Sequence, residues 1–184
     1  MKYQVILEGK GPIGFGRKWR TEAKGHEAIS KRNNECWKER MWIDPENDEI
    51  IFNPLGLKNC LTTAAKKLGM KVTGKGQRTF GGVFKSGVLC FEPIRFGVKS
   101  SEARKEILYL PVPNNAGSRQ DAIFALLENW TATAEIEVED PDISQDILET
   151  HLEKAGQVVG LGSLRVENGG LWGRFKLKSI KKVK

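Results

Sequence analysis

The sequence predicts an α+β protein, a four-stranded antiparallel sheet with two helices on one face. Three observations carry this. Residues 130–138 alternate at period two, with Trp130, Ala132, Ala134, Ile136 and Val138 on one side and Thr131, Thr133, Glu135 and Glu137 on the other, the pattern of a half-buried strand. Residues 54–68 and 143–155 carry apolar stripes at helical spacing, each with a capping residue before it and a glycine at its end. The elements then fall in the order strand, helix, strand, strand, helix, strand. A chain of 184 residues suits one domain and buries a core without disulfides or metal staples.

Taken in order, residues 3–8 are the first strand, with Tyr3, Val5 and Leu7 alternating against Gln4, Ile6 and Glu8. The stretch G-K-G-P-I-G-F-G-R-K-W-R at 9–20 is too rich in glycine for regular structure, residues 26–42 read as a weakly patterned helix, and 50–52 as a short strand. Asn53 caps the first good helix and Pro54 takes its first position; Leu57, Leu61, Ala64, Ala65 and Leu68 share one face, and Gly69 stops it. Residues 71–87 hold five glycines and four basic residues with Phe80 and Phe84 between them, and read as a mobile hairpin or loop. A strand at 88–96 follows, and 97–120 reads as an irregular excursion broken by Pro111, Pro113 and Gly117. The second helix spans 143–155, with Asp142 as its cap, Ile143, Ile147, Leu148, Leu152 and Ala155 as its buried stripe, and Gly156 as its stop. The last strand, 174–180, runs into a lysine tail. This is the ferredoxin-like, or modified RNA-recognition (RRM), order β-α-β-β-α-β, in a single domain with insertions near 9–50, 71–87 and 97–120.

Charge is segregated along the chain. Residues 1–120 hold 22 basic and 12 acidic side chains, residues 121–173 hold 2 and 11, and residues 174–184 hold 6 and none, within a net charge of +7. Such a field suits a protein that holds a polyanion on one side, and equally suits self-association of the acidic 135–153 region with the basic part of a second copy. No apolar run reaches the roughly 18 residues of a membrane span and the start lacks a signal-peptide apolar region, so a secreted or membrane protein is not expected. Cys36, Cys60 and Cys90 are far apart and read as reduced thiols. The carboxylates at 135–142 lack the spacing of a calcium loop. No metal and no cofactor is expected.

The most specific feature follows the second helix. Gly156, Gly160, Gly162, Gly169, Gly170 and Gly173 lie with Arg165 and Arg174 in fewer than twenty residues. Glycines let a backbone approach a ligand so that N–H groups face phosphate oxygens, and arginines add bidentate contacts. The alternative is a tight helix-to-strand connection whose glycines serve packing. The string A-G-Q-V-V-G-L-G-S-L-R-V-E-N-G-G-L-W-G-R-F at 155–175 resembles the C-terminal signature of the phage-encoded branch of the RAMP superfamily, whose members are similar to the backbone subunits of CRISPR effector complexes. Trp130, the segment N-P-L-G-L-K before the first helix and the basic loop after it fit the same resemblance. It implies a modified RNA-recognition fold that binds single-stranded nucleic acid along its backbone, often as a head-to-tail filament, in the cytoplasm of a phage-infected bacterium.

Two further stretches suit that chemistry: Lys10, Arg17, Lys18, Trp19 and Arg20 in one loop, and Lys71, Lys75, Arg78, Phe80 and Lys85 in another. With Gly160, Gly162, Arg165 and Arg174 they form the candidate nucleic-acid-binding set, in which charge holds phosphates and aromatics stack on bases. The function expected is non-catalytic, largely sequence-independent binding of single-stranded RNA or DNA, with no membrane partner. Two alternatives differ in class. One is a protein-binding inhibitor or decoy of a CRISPR effector complex, or a virion structural protein. The other is a metal-independent endoribonuclease built on His26, since His151 sits beside the buried stripe of its helix.

Overall fold

A computed structural model of the chain describes residues 1–17, 36–111 and 117–183. Lys18, Trp19, Arg20, His26 and most of the helix expected at 26–42 lie outside the described residues.

The first strand, β1 (Lys2–Gly9), buries Tyr3, Val5 and Leu7 on one side, as its alternation requires. The glycine-rich stretch after it is not wholly irregular, because Ile13, Gly14 and Phe15 form β2 (Ile13–Phe15), every residue buried. The described end of the 26–42 segment is a 3₁₀ turn (Trp37–Arg40) leading into β3 (Trp42–Ile43). Then come β4 (Glu49–Phe52) and α1 (Pro54–Leu68). The α1 caps are those the sequence predicts: the Asn53 side chain accepts from the Leu55 N–H at 2.9 Å, and Gly69, at φ 61, donates its N–H to the Ala65 carbonyl.

Residues 80–87 are not loop. They form α2 (Phe80–Gly87), which buries Phe80, Val83, Phe84 and Gly87 at helical spacing. The expected 88–96 strand is two strands, β5 (Val88–Leu89) and β6 (Ile94–Lys99), parted by an irregular stretch with a bend at Glu92. The expected irregular excursion is largely a hairpin: β7 (Arg104–Pro111) pairs along its length with β8 (Arg119–Leu127). Next is β9 (Thr131–Val138), whose alternating burial is as predicted. Helix α3 (Gln145–Val158) is capped by Ser144, whose side chain accepts from the Ile147 N–H, and not by Asp142. It runs past Gly156, which faces β10 (Phe175–Val183); a Cβ at Gly156 would lie 2.0 Å from the Phe175 carbonyl oxygen. The expected lysine tail is thus part of β10, which pairs with β1 from Gly9↔Phe175 to Lys2↔Val183.

The main sheet has the order β10-β1-β9-β6-β4-β3, every neighbouring pair antiparallel, with β5 joining one end of β9. A second sheet has the order β2-β8-β7. With three α-helices and antiparallel sheets among the described residues, the molecule is α+β. One core joins Val5, Leu7, Ala134 and Ile136 of the main sheet to Leu57 and Leu61 of α1 and Leu148 and Leu152 of α3. Among the described residues, no helix covers the other face of the main sheet.

His151 is fully buried in this core. Its ring stacks on Phe84 with centroids 4.3 Å apart and meets the edge of Phe80 at 5.5 Å. Its Nδ1 lies 2.6 Å from the Ile147 carbonyl, so Nδ1 carries the proton and donates. Burial pushes its pKa below the ordinary histidine value. Among the described residues, no helix is long and apolar enough to cross a membrane.

Candidate nucleic-acid interface

Two of the three glycine-rich basic stretches are one structure. The Lys10 N–H donates to the Arg174 carbonyl at 2.8 Å, the Gly173 N–H to the Pro12 carbonyl at 2.8 Å, and the Ser163 N–H to the Gly14 carbonyl at 2.7 Å. The 9–17 segment therefore lies along the loop after α3, backbone against backbone. Trp130 fixes its start, because its indole Nε1–H donates to the Gly11 carbonyl at 2.9 Å. Glycine is required at this seam. Gly162 has φ 77 and a Cβ there would lie 2.5 Å from the Gly14 carbonyl oxygen; Gly173 has φ 70 and its Cβ would lie 1.7 Å from that of Leu161.

Many of the loop's amides, those of Gly160, Leu161 and Ser163 among them, are engaged within the protein. Gly160 donates to the Ala155 carbonyl at 2.9 Å and Leu161 to the Gly173 carbonyl at 2.9 Å. The glycines serve close backbone packing, and the cradle of free amides expected around Gly160 is not what these hydrogen bonds make.

Positive side chains frame the seam. Lys10 and Arg174 are both exposed, and their shared backbone hydrogen bond brings residues from the two ends of the chain to one junction. Arg17 is exposed at the other end of the segment, with its guanidinium 5.6 Å from the centroid of the Trp42 ring. Arg165 is half-buried and already paired, its Nε and Nη2 both donating to Glu167 Oε2 at 3.1 and 2.9 Å. Trp172 packs edge-on against Phe124 of β8 at 5.4 Å.

The third stretch behaves differently. Lys71 is exposed, but Arg78 is clasped by the turn before α3: its Nη2 lies 3.0 Å from Asp140 Oδ2 and its Nη1 3.2 Å from Asp142 Oδ2. Lys75 lies 4.0 Å from Asp142 Oδ1. Phe80, expected to stack on bases, is 4% exposed and closes the core over His151, so its ring is not on the surface. Lys85 is exposed on α2 and shares a groove with Lys58 and Lys66 of α1. These last two were not among the sequence candidates, although Lys58, Thr62 and Lys66 at i, i+4 and i+8 mark one polar helix face.

The uncovered sheet face carries acid as well as base. Glu135 and Glu137 sit 2.7 and 3.6 Å from Lys2, and Glu8 sits 2.7 Å from Lys176 and 3.7 Å from Lys178. Across the central strands β1, β9 and β6 the described residues of this face are Gln4, Ile6, Thr131, Thr133 and Arg95. Part of the acidic 135–153 region is thereby neutralised by the protein's own cations.

No family model and no curated protein matches the sequence. Among solved structures, the chain is similar to a chain of the type III-B Cmr-beta structure determined by cryo-electron microscopy bound to cognate target RNA. The two are 10% identical with a TM-score of 0.59, over 98% of this chain and 59% of that one. This chain therefore spans less than two thirds of that neighbour's length, and the likeness is one of fold. A chain of a CRISPR RNA-guided surveillance complex matches at 8% identity and a TM-score of 0.41, over 98% of this chain and 68% of that one.

Proposed function

We propose that this protein is a non-catalytic, largely sequence-independent binder of single-stranded nucleic acid, with a RAMP-like, modified RNA-recognition fold. The fold reading rests on strand order. In β10-β1-β9-β6, with α1 between β1 and β6 and α3 between β9 and β10, we read the split βαβ unit; β2–β4, α2 and the β7–β8 hairpin are additions to it.

The observation that carries the function is the Lys10–Arg174 junction. Two exposed cations from opposite ends of the chain are held at one place by a backbone hydrogen bond, on a seam whose glycines keep it narrow. Charge held this way favours phosphates without reading base edges. The likeness to a chain of an RNA-bound complex supports the same reading. The carboxylates on the sheet face favour a strand held on the loops over one laid across the sheet.

Filament formation belongs to this proposal in a weaker form than the charge pattern alone suggests, because Arg78 and Lys2 already occupy much of the acidic surface. Exposed Glu139 and Asp146 remain for a neighbouring copy. Holding is separated from cutting by incubating end-labelled RNA with the protein in chelator. Intact RNA in a retarded complex is the expected result. Cleavage that disappears in His26→Ala would replace this reading with the endoribonuclease.

A further inference from the structure

We propose that the groove between α1 and α2 is a second site for a chain of linked phosphates, distinct from the Lys10–Arg174 junction. For the source of those phosphates, a nucleic-acid strand, the proposal rests on the reading above. For their chemistry it does not.

Helix α1 has two faces. Leu57, Leu61, Ala64 and Ala65 are buried in the core, while Lys58, Thr62 and Lys66 follow one another at successive turns on another face, with Asn59 and Thr63 beside them. From Lys58 to Lys66 this stripe runs about 12 Å along the helix axis, long enough for more than one phosphate. Helix α2 lies against it. Gly81 permits the approach, since a Cβ there would be 3.1 Å from Lys66 Cγ and 3.3 Å from its Cα. One turn beyond Gly81, Lys85 joins the same groove. The volume enclosed is about 390 Å³, open to solvent along one side and sized for a segment of ligand.

The chemistry of the lining is one-sided. Three ammonium groups share the groove with the Asn59 amide and two threonine hydroxyls, and no carboxylate among the described residues lines it. The Thr62 hydroxyl donates to the Lys58 carbonyl at 2.9 Å, which fixes its orientation. Several cations elsewhere in this protein are paired with carboxylates. Lys2, Arg78, Arg95 and Lys176 each lie between 2.7 and 3.0 Å from a carboxylate oxygen. Like charges gathered without a counter-charge repel one another, and a polyanion relieves that repulsion while gaining hydrogen bonds from groups that carry protons to donate. A single carboxylate neutralises too little of it. Leu55, 56% exposed on the groove's lining, adds an apolar contact suited to a sugar or base between phosphates.

The test uses the variant Lys58→Gln/Lys66→Gln/Lys85→Gln, whose positions lie outside the core, with unchanged thermal unfolding as the check on its fold. The first probe is inorganic tripolyphosphate, titrated calorimetrically at low salt. Wild type is expected to bind, and adding the triple variant to a Lys10→Gln/Arg174→Gln background, which leaves the groove as the remaining site, is expected to weaken binding at least tenfold further. No binding to wild type, or equal binding to that background with and without the triple variant, overturns the site. The second probe is a labelled 20-nucleotide single strand, followed by anisotropy across a salt series. If the strand fills the groove, the triple variant loses about 2 from the slope of log affinity against log salt, at roughly 0.7 per phosphate contact. A strand that binds wild type and triple variant with the same slope overturns the strand as the groove's ligand. Tripolyphosphate binding without strand binding supports the groove and overturns the function proposed above, so the two failures are told apart.

Discussion

The Lys10 main chain donates to the Arg174 carbonyl at 2.8 Å, joining the exit of the first strand to the entry of the last. Neither residue is near the other in sequence, and both side chains are exposed.

If these two cations hold phosphates, Lys10→Gln and Arg174→Gln each weaken single-strand binding and each lower the salt slope by about 0.7. Arg165→Gln has a smaller effect, because its guanidinium is already bound to Glu167. Anisotropy titrations at several salt concentrations measure all three. Equal losses at Arg165 and Arg174 would contradict the assignment.

The glycines of the seam act on stability. Gly173→Ala combines a left-handed backbone with a 1.7 Å clash against the Leu161 carbonyl oxygen. The expected loss is about 2–5 kcal/mol. Gly169 has φ 77 but open space around it, so Gly169→Ala loses only about 1–2 kcal/mol, the conformational part alone. Urea unfolding of the pair separates clash from backbone strain.

Asp140 and Asp142 compete with nucleic acid for Arg78. The double variant Asp140→Asn/Asp142→Asn frees Arg78 and Lys75, and single-strand affinity should rise several-fold with a steeper salt slope. Because Arg78 is half-exposed, the stability lost with the clasp is within about 1 kcal/mol. A fall in affinity would mean that the clasped geometry itself is the binding form.

His151 makes stability depend on pH in a defined direction. Its folded-state pKa lies below the ordinary 6.5 because the ring is buried. As pH falls through about 6.5, the unfolded chain takes up a proton that the folded chain refuses, so stability declines by at most about 1.4 kcal/mol per pH unit. Above that value this group adds no pH dependence. Urea unfolding at pH 7.5, 6.5 and 5.5 should show this slope in wild type and its loss in His151→Phe.

Phe80→Ala tests whether this ring belongs to the core. With 4% exposure and contacts to Phe84 and His151, it should cost about 3–5 kcal/mol. At low temperature, where the variant is folded, its affinity for single strands should equal that of wild type.

The parts of this fold legible in the sequence were those set by local pattern. The alternation of β9 and the Asn53, Pro54 and Gly69 signals of α1 are complete within a few residues. Helix α2 was hidden because three glycines in eight residues outweigh the spacing of Phe80, Val83, Phe84 and Gly87. The β7–β8 hairpin was masked by the prolines at its end. In α3, Ser144 displaced Asp142 as cap, and Asp142 turned instead to Arg78. The candidate site was legible as composition and not as arrangement. The glycine-rich loop pairs with β2 more than a hundred residues away in sequence, and Arg78 meets Asp140 across 62 positions; no local pattern encodes either contact. Lys58 and Lys66 give no sequence signal beyond the polar face that any amphipathic surface helix carries.

The measurement that tests the central claim most directly is the affinity of the wild-type protein for matched single- and double-stranded RNA and DNA at 50 and 200 mM salt. The account predicts that single strands bind at low salt, more tightly than duplexes and with little regard to sequence, and that this affinity falls steeply at the higher salt. Absence of binding to every strand at 50 mM salt would contradict it.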